Sequence, residues 1–336
     1  RQDWMDKWDL GDADDVKTLD QWHDVLTAFK ANGVQWPMAI YKTVDISNGF
    51  CAFNTLVSVS ETALPAVKII DGEIKYCLTT EDDLDAVTMI SQWFAEGLID
   101  PNYAGYGSNQ DMSMQITSDV LGCVGFTPSE VDAWQNASVD PDTAWKPTPR
   151  VKKAEDQILQ YGLKGGNFHM GSACISAKCS NIPLVCTWLD WKWSPEGLIW
   201  DNWGVEGVTW EWNEKGERQL TEFVYNNPDG LGAAWVSVLY CNDGLRQPCL
   251  NMHMRMYAYP GGEKYIEMFD TWKVPDYGGE YDFPTGIRYT DDQSKELAMY
   301  SNDIATYISE NYFAFIDGSK PLSDWDKYVS DIYGLG

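Results

Sequence analysis

Short apolar runs that read as buried strands alternate along this chain with capped amphipathic helices, and that rhythm leaves layered α/β structure as the main way to fold. Thr18 and Gln21 form a capping box ahead of a helix whose apolar face runs Leu19, Trp22, Val25, Leu26 and Phe29 and stops at Gly33. Trp36 to Tyr41 then forms a buried strand that delivers a polar loop, Lys42 to Gly49. Asp71-Gly72, a dipeptide that tolerates the positive φ angles of a type I′ turn, joins strands Val67 to Ile70 and Glu73 to Leu78. A second helix runs from a Thr80 cap through Leu84, Val87, Ile90, Trp93 and Phe94 to Gly97. Val120 to Phe126 is the next buried strand, and Pro128-Ser129-Glu130 starts another helix.

The second half is less regular. A Pro/Asp-rich loop covers Asn136 to Arg150, strand-like pieces occupy Ile158 to Ala177, Asn181 caps a helix reaching Trp193, and a hairpin turns at Glu214-Lys215-Gly216. Asn226 to Pro284 is irregular and rich in Pro and Gly. Two helices close the chain, one from Thr290 with Gln293 and one from Ser323 with Asp326. No fixed-period repeat is present. The expected class is α/β with a helical C-terminal third.

The length, 336 residues, gives a prior of about two domains. Asp and Glu number 51 against 24 Lys and Arg, a formal charge of −27 that repels phosphate backbones and anionic lipid, so no nucleic-acid partner is expected. Aromatic residues make up 14% and charged residues only 22%, which excludes a disordered acidic chain. No uncharged apolar run approaches the ~18 residues of a membrane span, and residue 1 opens neither a basic nor an apolar leader segment, so a mature or trimmed piece is expected. The eight cysteines contain no C-x-x-C pair and read as buried free thiols. Pairing of Cys174 with Cys179, or Cys241 with Cys249, stays open, and with it the redox compartment.

Catalytic motifs are nearly absent. Gly230-Leu-Gly232-Ala-Ala-Trp235 places Trp where a dinucleotide loop needs a small residue, and there is no P-loop, H-E-x-x-H, G-x-S-x-G or EF-hand loop. Only His23, His169 and His253 offer imidazole chemistry. Met252-His253-Met254-Arg255-Met256 carries soft ligands of the kind that hold Cu(I), but Met packing on one face explains the alternation as well. The Asn136-Ala137-Ser138 sequon reads as loop chemistry. No catalytic residue, cofactor or metal is expected, although 51 acids leave room for an unrecognised glycosidase pair.

The order of three other motifs resembles that of bacterial extracellular solute-binding proteins (family 1-like, lipoprotein subgroup) that serve carbohydrate ABC transporters. Asp190-Trp191-Lys192-Trp193-Ser194-Pro195-Glu196-Gly197, followed by Asp201-Asn202-Trp203-Gly204-Val205-Glu206-Gly207-Val208, is similar to the family's "D-W-x-Y-S-x-E-G … N-Y-G-x-E-G", with Trp193 and Trp203 in place of Tyr. Phe315 to Tyr328 resembles the C-terminal "F-I-x-G-x-x-P-L-x-x-W-D-x-Y", and Arg1 to Phe29 resembles the start of the family's second lobe.

The resemblance implies a periplasmic-binding-protein type II-like fold of two α/β lobes that close on ligand. Its implied division is residues 1–170 as most of the C-terminal lobe, 171–225 as a hinge crossing with an N-lobe-associated helix and hairpin, and 226–336 as an irregular segment with helices packing across the lobes. The lipid-attachment Cys and roughly the first 150 residues, most of the N-terminal lobe, find no counterpart here. The implied function is non-catalytic capture of an oligosaccharide at the bacterial cell surface and delivery to ABC permease subunits, with membrane contact only through a lipid anchor absent from this chain. The alternatives are a carbohydrate-active hydrolase or a binding protein for a peptide or other solute.

Sugar rings present C–H faces that stack on flat aromatics and hydroxyls that bond to polar rims, and α/β sheets bind ligand beyond the carboxyl ends of their strands. The strand-end loops offer Tyr41, Lys42, Asp45 and Asn48, then Phe126 and Thr127, then His169; the motif loop adds Trp203, Glu206 and Trp210. Each has an alternative role in packing or solvation. For Trp203 the two are a stacking platform and a filler beneath Trp193. Trp22 and Trp93, at helical spacing among apolar residues, belong to the core.

Overall fold

The computed structural model describes residues 1–40, 67–125, 128–152, 157, 159, 174–229, 236, 239–240, 262–272, 283 and 287–335. In chain order the elements are α1 (Gln2–Lys7), α2 (Leu19–Ala31), β1 (Trp36–Met38), β2 (Val67–Ile70), β3 (Glu73–Tyr76), α3 (Glu81–Ala95), α4 (Ser113–Thr117), β4 (Leu121–Cys123) and α5 (Pro128–Ala137). They continue with α6 (Ile182–Trp191), α7 (Pro195–Trp203), β5 (Trp210–Trp212), β6 (Arg218–Leu220), α8 (Glu222–Tyr225), α9 (Glu263–Thr271), α10 (Asp291–Ile316) and α11 (Trp325–Leu335). The chain divides into two compact units, Arg1–Gly165 with Thr271–Gly336, and Gly166–Asp270. No described helix is long and apolar enough to cross a membrane.

In the larger unit, local chemistry sets the helix starts. Thr18 Oγ1 accepts from Gln21 N at 3.2 Å while Gln21 Oε1 accepts from Thr18 N at 3.0 Å. Reciprocal boxes recur at Thr80 with Asp83 and at Thr290 with Gln293, each cap contributing about 1 kcal/mol. Asp71 and Gly72 take φ of 53° and 80°, the type I′ geometry that pairs Ile70 with Glu73. That hairpin ends at Tyr76 and not at Leu78, because Leu78 has φ 72° and cannot continue a strand.

β1 and β4 run parallel, Trp36 opposite Leu121 and Met38 opposite Cys123, and Met38 also bridges Ile99 in parallel. Both strands are shorter than the apolar runs that contain them, since the paired ladder is shorter than the buried stretch: Ala39 and Ile40 remain buried beyond β1. α2 lies on this pair through a close approach at Gly122. A Cβ there would fall 2.6 Å from Pro37 O and run into the Phe29 ring, so only glycine fits. Phe29 in turn packs edge-on to Trp4 and Trp8, with centroids 5.7 Å away in each case.

The core runs from Leu26 and Phe29 through Ile90 and Trp93 of α3 to Ile304, Ile308, Tyr312 and Phe315 of α10. Trp22 and Trp93 are both in it. Only the C-terminal half of α10 is buried; residues 291–299 are exposed throughout. The C-terminal motif is a packing device. Gly318 reverses the chain at φ 78°, and Phe315, Trp325 and Tyr328 cluster with centroids 5.0–5.4 Å apart. Lys320 lies 5.1 Å from the Phe315 ring while donating to Asn311 Oδ1 at 2.7 Å. Ser323 does not cap α11 as expected; it sits inside a 3₁₀ turn, Leu322–Asp324, and α11 begins at Trp325.

In the smaller unit, Asn181 caps α6 and Ser194 caps α7, whose N1 position Pro195 fills. The helix expected to reach Trp193 therefore ends at Trp191. Asn213 Oδ1 accepts from Lys215 N and Glu217 N and, with Gly216 at φ 76°, turns the expected hairpin between β5 and β6. A small core of Trp203, Trp210, Leu220, Val224 and Val236 holds this unit. No residue of α6 is buried, and Leu184 and Trp188 are 62% and 49% exposed. Cys123, Cys174, Cys179 and Cys186 are free thiols, so Cys174 and Cys179 are not paired; the expected burial is found at Cys77 and not at Cys174 and Cys186, which are exposed, and Cys51, Cys241 and Cys249 lie outside the described residues.

Two outcomes follow for the larger unit. Gly122→Ala should lower its unfolding free energy by about 3 kcal/mol through overpacking, while Gly105→Ala, where a Cβ meets nothing, stays within about 0.5 kcal/mol in urea titrations. Burial opposes ionisation of Asp3, but the Arg1 guanidinium fork at 2.7 and 2.8 Å and the Ala144 N–H outweigh it and hold the carboxyl below its ordinary range. A depressed native pKa means that this stabilisation is fully present above the unfolded value of about 4 and is lost as pH falls through the native one. The stability gap between the parent and Asp3→Asn should therefore be largest above about pH 4 and close on acidification.

Candidate functional site

Because β1 and β4 are parallel and in register, their carboxyl ends emerge side by side at Met38 and Cys123, with Ile99 alongside. This is the edge where an open α/β sheet presents ligand-binding loops. Asp100, fully buried, holds it: its N–H donates to Met38 O at 2.9 Å, and its carboxylate accepts from Asn102 N, Asn102 Nδ2 and Tyr106 OH at 2.9, 3.0 and 2.9 Å. Gln115 Nε2 donates to Tyr106 OH at 2.8 Å. Burial, then the hydrogen bond to Asp100, pushes the Tyr106 phenol up to about 12. The network thus anchors the Asp100 carboxylate beside the strand edge through three donors, with the raised Tyr106 phenol held as one of them. Asp100 and Tyr106 were missed in the sequence because nothing local couples them to a strand that ends 62 positions earlier.

Tyr41, Lys42, Asp45, Asn48, Phe126, Thr127 and His169 all lie outside the described residues. So do the Gly230 to Trp235 and Met252 to Met256 motifs, apart from any single described neighbour.

In the smaller unit the motif loop is described in full. Gly197 is required because a Cβ there would lie 2.7 Å from Lys192 Cα and against Trp191 O, which seats α7 on the end of α6. Lys192 Nζ lies 2.9 Å from Asp201 Oδ2, both side chains about 5% exposed, an ion pair set off-angle for a hydrogen bond. Thr209 Oγ1 donates to Trp203 O at 2.6 Å and accepts from Val205 N at 2.8 Å, closing the loop that follows Gly204.

Trp203 and Trp210 are buried, 6% and 3% exposed, and meet edge to face at 6.4 Å in the small core. Neither offers a free ring face to solvent: the alternative of packing, left open for Trp203, is the arrangement found. The exposed ring in contact with this core is Trp212, 51% accessible, packed at 5.4 Å and 82° against Trp210. Its indole N–H donates to Glu206 Oε1 at 3.1 Å, and Arg218, its cross-strand partner, lies 4.7 Å from its ring and 4.9 Å from that of Trp210. Glu206, exposed, is thereby tied to the exposed indole and oriented by it. The W-x-W spacing of β5 was the available signal, since residues two apart share a face. This pair can stack on one face of a ring and accept hydrogen bonds through the second carboxylate oxygen.

With the geometry in place, the fold is that of extracellular solute-binding proteins. No family profile and no curated protein matches the sequence. Solved structures do. An alginate-binding protein, AlgQ2 without calcium ion, aligns over 100% of this chain and 68% of its own at TM-score 0.59 and 19% identity. The S. pneumoniae ABC-transporter substrate-binding protein FusA in complex with kestose aligns over 100% and 68% at TM-score 0.62 and 17% identity. An HMO-binding, ABC-transporter-associated solute-binding protein from Bifidobacterium longum infantis aligns over 99% and 69% at TM-score 0.63 and 14% identity. At these identities the likeness defines the fold; each of these neighbours is a binding protein by name.

Burial separates the roles of the three indoles in one experiment. Trp203→Ala and Trp210→Ala should each cost about 3–5 kcal/mol of unfolding free energy, and Trp212→Ala about 1 kcal/mol, read by hydrogen exchange of smaller-unit amides.

Proposed function

We propose that this chain is the extracellular substrate-binding component of an ABC importer, which captures an oligosaccharide and hands it unchanged to the membrane permease. The observation that carries the reading is alignment of the entire chain with S. pneumoniae FusA in complex with kestose and with fructo-nystose, and with an N-glycan transport solute-binding protein. In the larger unit the proposed contacts are Tyr41, Lys42, Asp45, Asn48, Phe126 and Thr127 at the carboxyl edge of β1 and β4; in the smaller unit, considered by itself, they are His169 and the Glu206–Trp212 pair, a stacking ring with an adjacent acceptor. Lipid anchoring at the cell surface belongs to the same proposal. A net charge of −27 adds a preference for neutral over anionic glycans.

Calorimetric titration with a glycan panel tests this. Saturable binding with the sugar recovered intact is expected, and Trp212→Ala should weaken it about ten-fold while costing the smaller unit only about 1 kcal/mol of stability. Sugar cleavage at enzyme-level turnover, or no binding by folded protein to any glycan, overturns it.

A further inference from the structure

A second place in the larger unit has the chemistry of a saccharide site. The N-terminal half of α10 stands clear of the core, and between it and the end of β3 lies a groove of about 300 Å³. Tyr76, Tyr289 and Tyr300 line it, together with Gln293, Glu296 and Ser301, while Ile304, almost fully buried, belongs to its apolar lining. The α10 members fall at spacings of three and four, so one helix face presents them together. Tyr289 is 47% exposed, and the Tyr333 ring meets Tyr76 at 6.0 Å.

We propose that this groove binds one neutral sugar ring, as a site additional to the strand-edge loops; the choice of ligand class rests in part on the oligosaccharide reading. Three observations select that chemistry. The Tyr rings give flat apolar surface for C–H faces. The polar groups have capacity to spare: the three phenol hydroxyls have no hydrogen-bond partner among the described residues, and Gln293 commits its Oε1 to the Thr290 cap at 2.9 Å, which leaves its Nε2 free to donate. Ser301 donates to Ala298 O at 3.2 Å and keeps its lone pairs as acceptors. Finally, the described lining residues include Glu296 and no Lys or Arg, so a uronate or phosphorylated sugar is disfavoured. The volume suits a ligand of one or two rings, at the small end of ordinary binding pockets.

The test uses the full chain with ring-labelled tyrosine, titrated with glucose, galactose, fructose and N-acetylglucosamine, and in parallel with glucuronate and tetramethylammonium. A neutral sugar should shift tyrosine resonances saturably, and Tyr289→Ala and Glu296→Gln, both at exposed positions away from the core, should each weaken that binding about five-fold or more without lowering the melting temperature. Glucuronate binding as tightly as glucose, a response to tetramethylammonium alone, or affinity unchanged in both variants overturns the proposal while leaving oligosaccharide capture intact. No response to any sugar here, together with no glycan binding in calorimetry, removes both.

Discussion

The contact on which the larger unit depends is the seat of Phe29 on Gly122. Because residue 122 has no side chain, α2 comes close enough to the parallel pair for the Phe29 ring to meet both the ladder and the indoles of Trp4 and Trp8. That approach holds β1 and β4 side by side, and so fixes which loops leave the sheet edge together. Met38 is the keystone of the edge: it pairs with Cys123 on one side, bridges Ile99 on the other, and its carbonyl takes the Asp100 N–H. A frame of this kind is stiff. Asp100, Asn102, Tyr106 and Gln115 are linked by hydrogen bonds beside the strand ends, with Gln115 Oε1 left without a partner among the described residues.

Function separates from motif in the smaller unit. The residues that carry the resemblance are there for structural reasons: Ser194 caps, Gly197 lets two helices touch, Lys192 and Asp201 neutralise each other in a buried setting, and Gly204 reverses the chain. Their joint effect is to place Trp203 beneath the β5–β6 hairpin and leave the outer end of that hairpin, with Trp212 and Glu206, facing solvent.

What was legible in the sequence was what is decided locally. The boxes at Thr18, Thr80 and Thr290, the turn at Asp71-Gly72 and the Asn213 to Glu217 turn depend on groups three or four residues apart, and they form where expected. Strand limits were overrun because an apolar run records burial, whereas a strand records pairing, and Ala39 and Ile40 are buried without extending β1. The fates of Trp203, Trp210 and Trp212 were unreadable one residue at a time: they turn on Leu220, Val224 and Arg218, which a fold must bring up from the far side of the hairpin. Asp100 was invisible for the same reason.

The central claim is that this fold captures an oligosaccharide without altering it, and native mass spectrometry of the full chain with a mixture of neutral oligosaccharides tests it most directly. The account predicts a one-to-one complex whose added mass equals an intact member of the mixture, with all free sugars unchanged after prolonged incubation. An added mass matching a cleaved fragment, new free products, or a folded chain that carries no sugar at any concentration would contradict it.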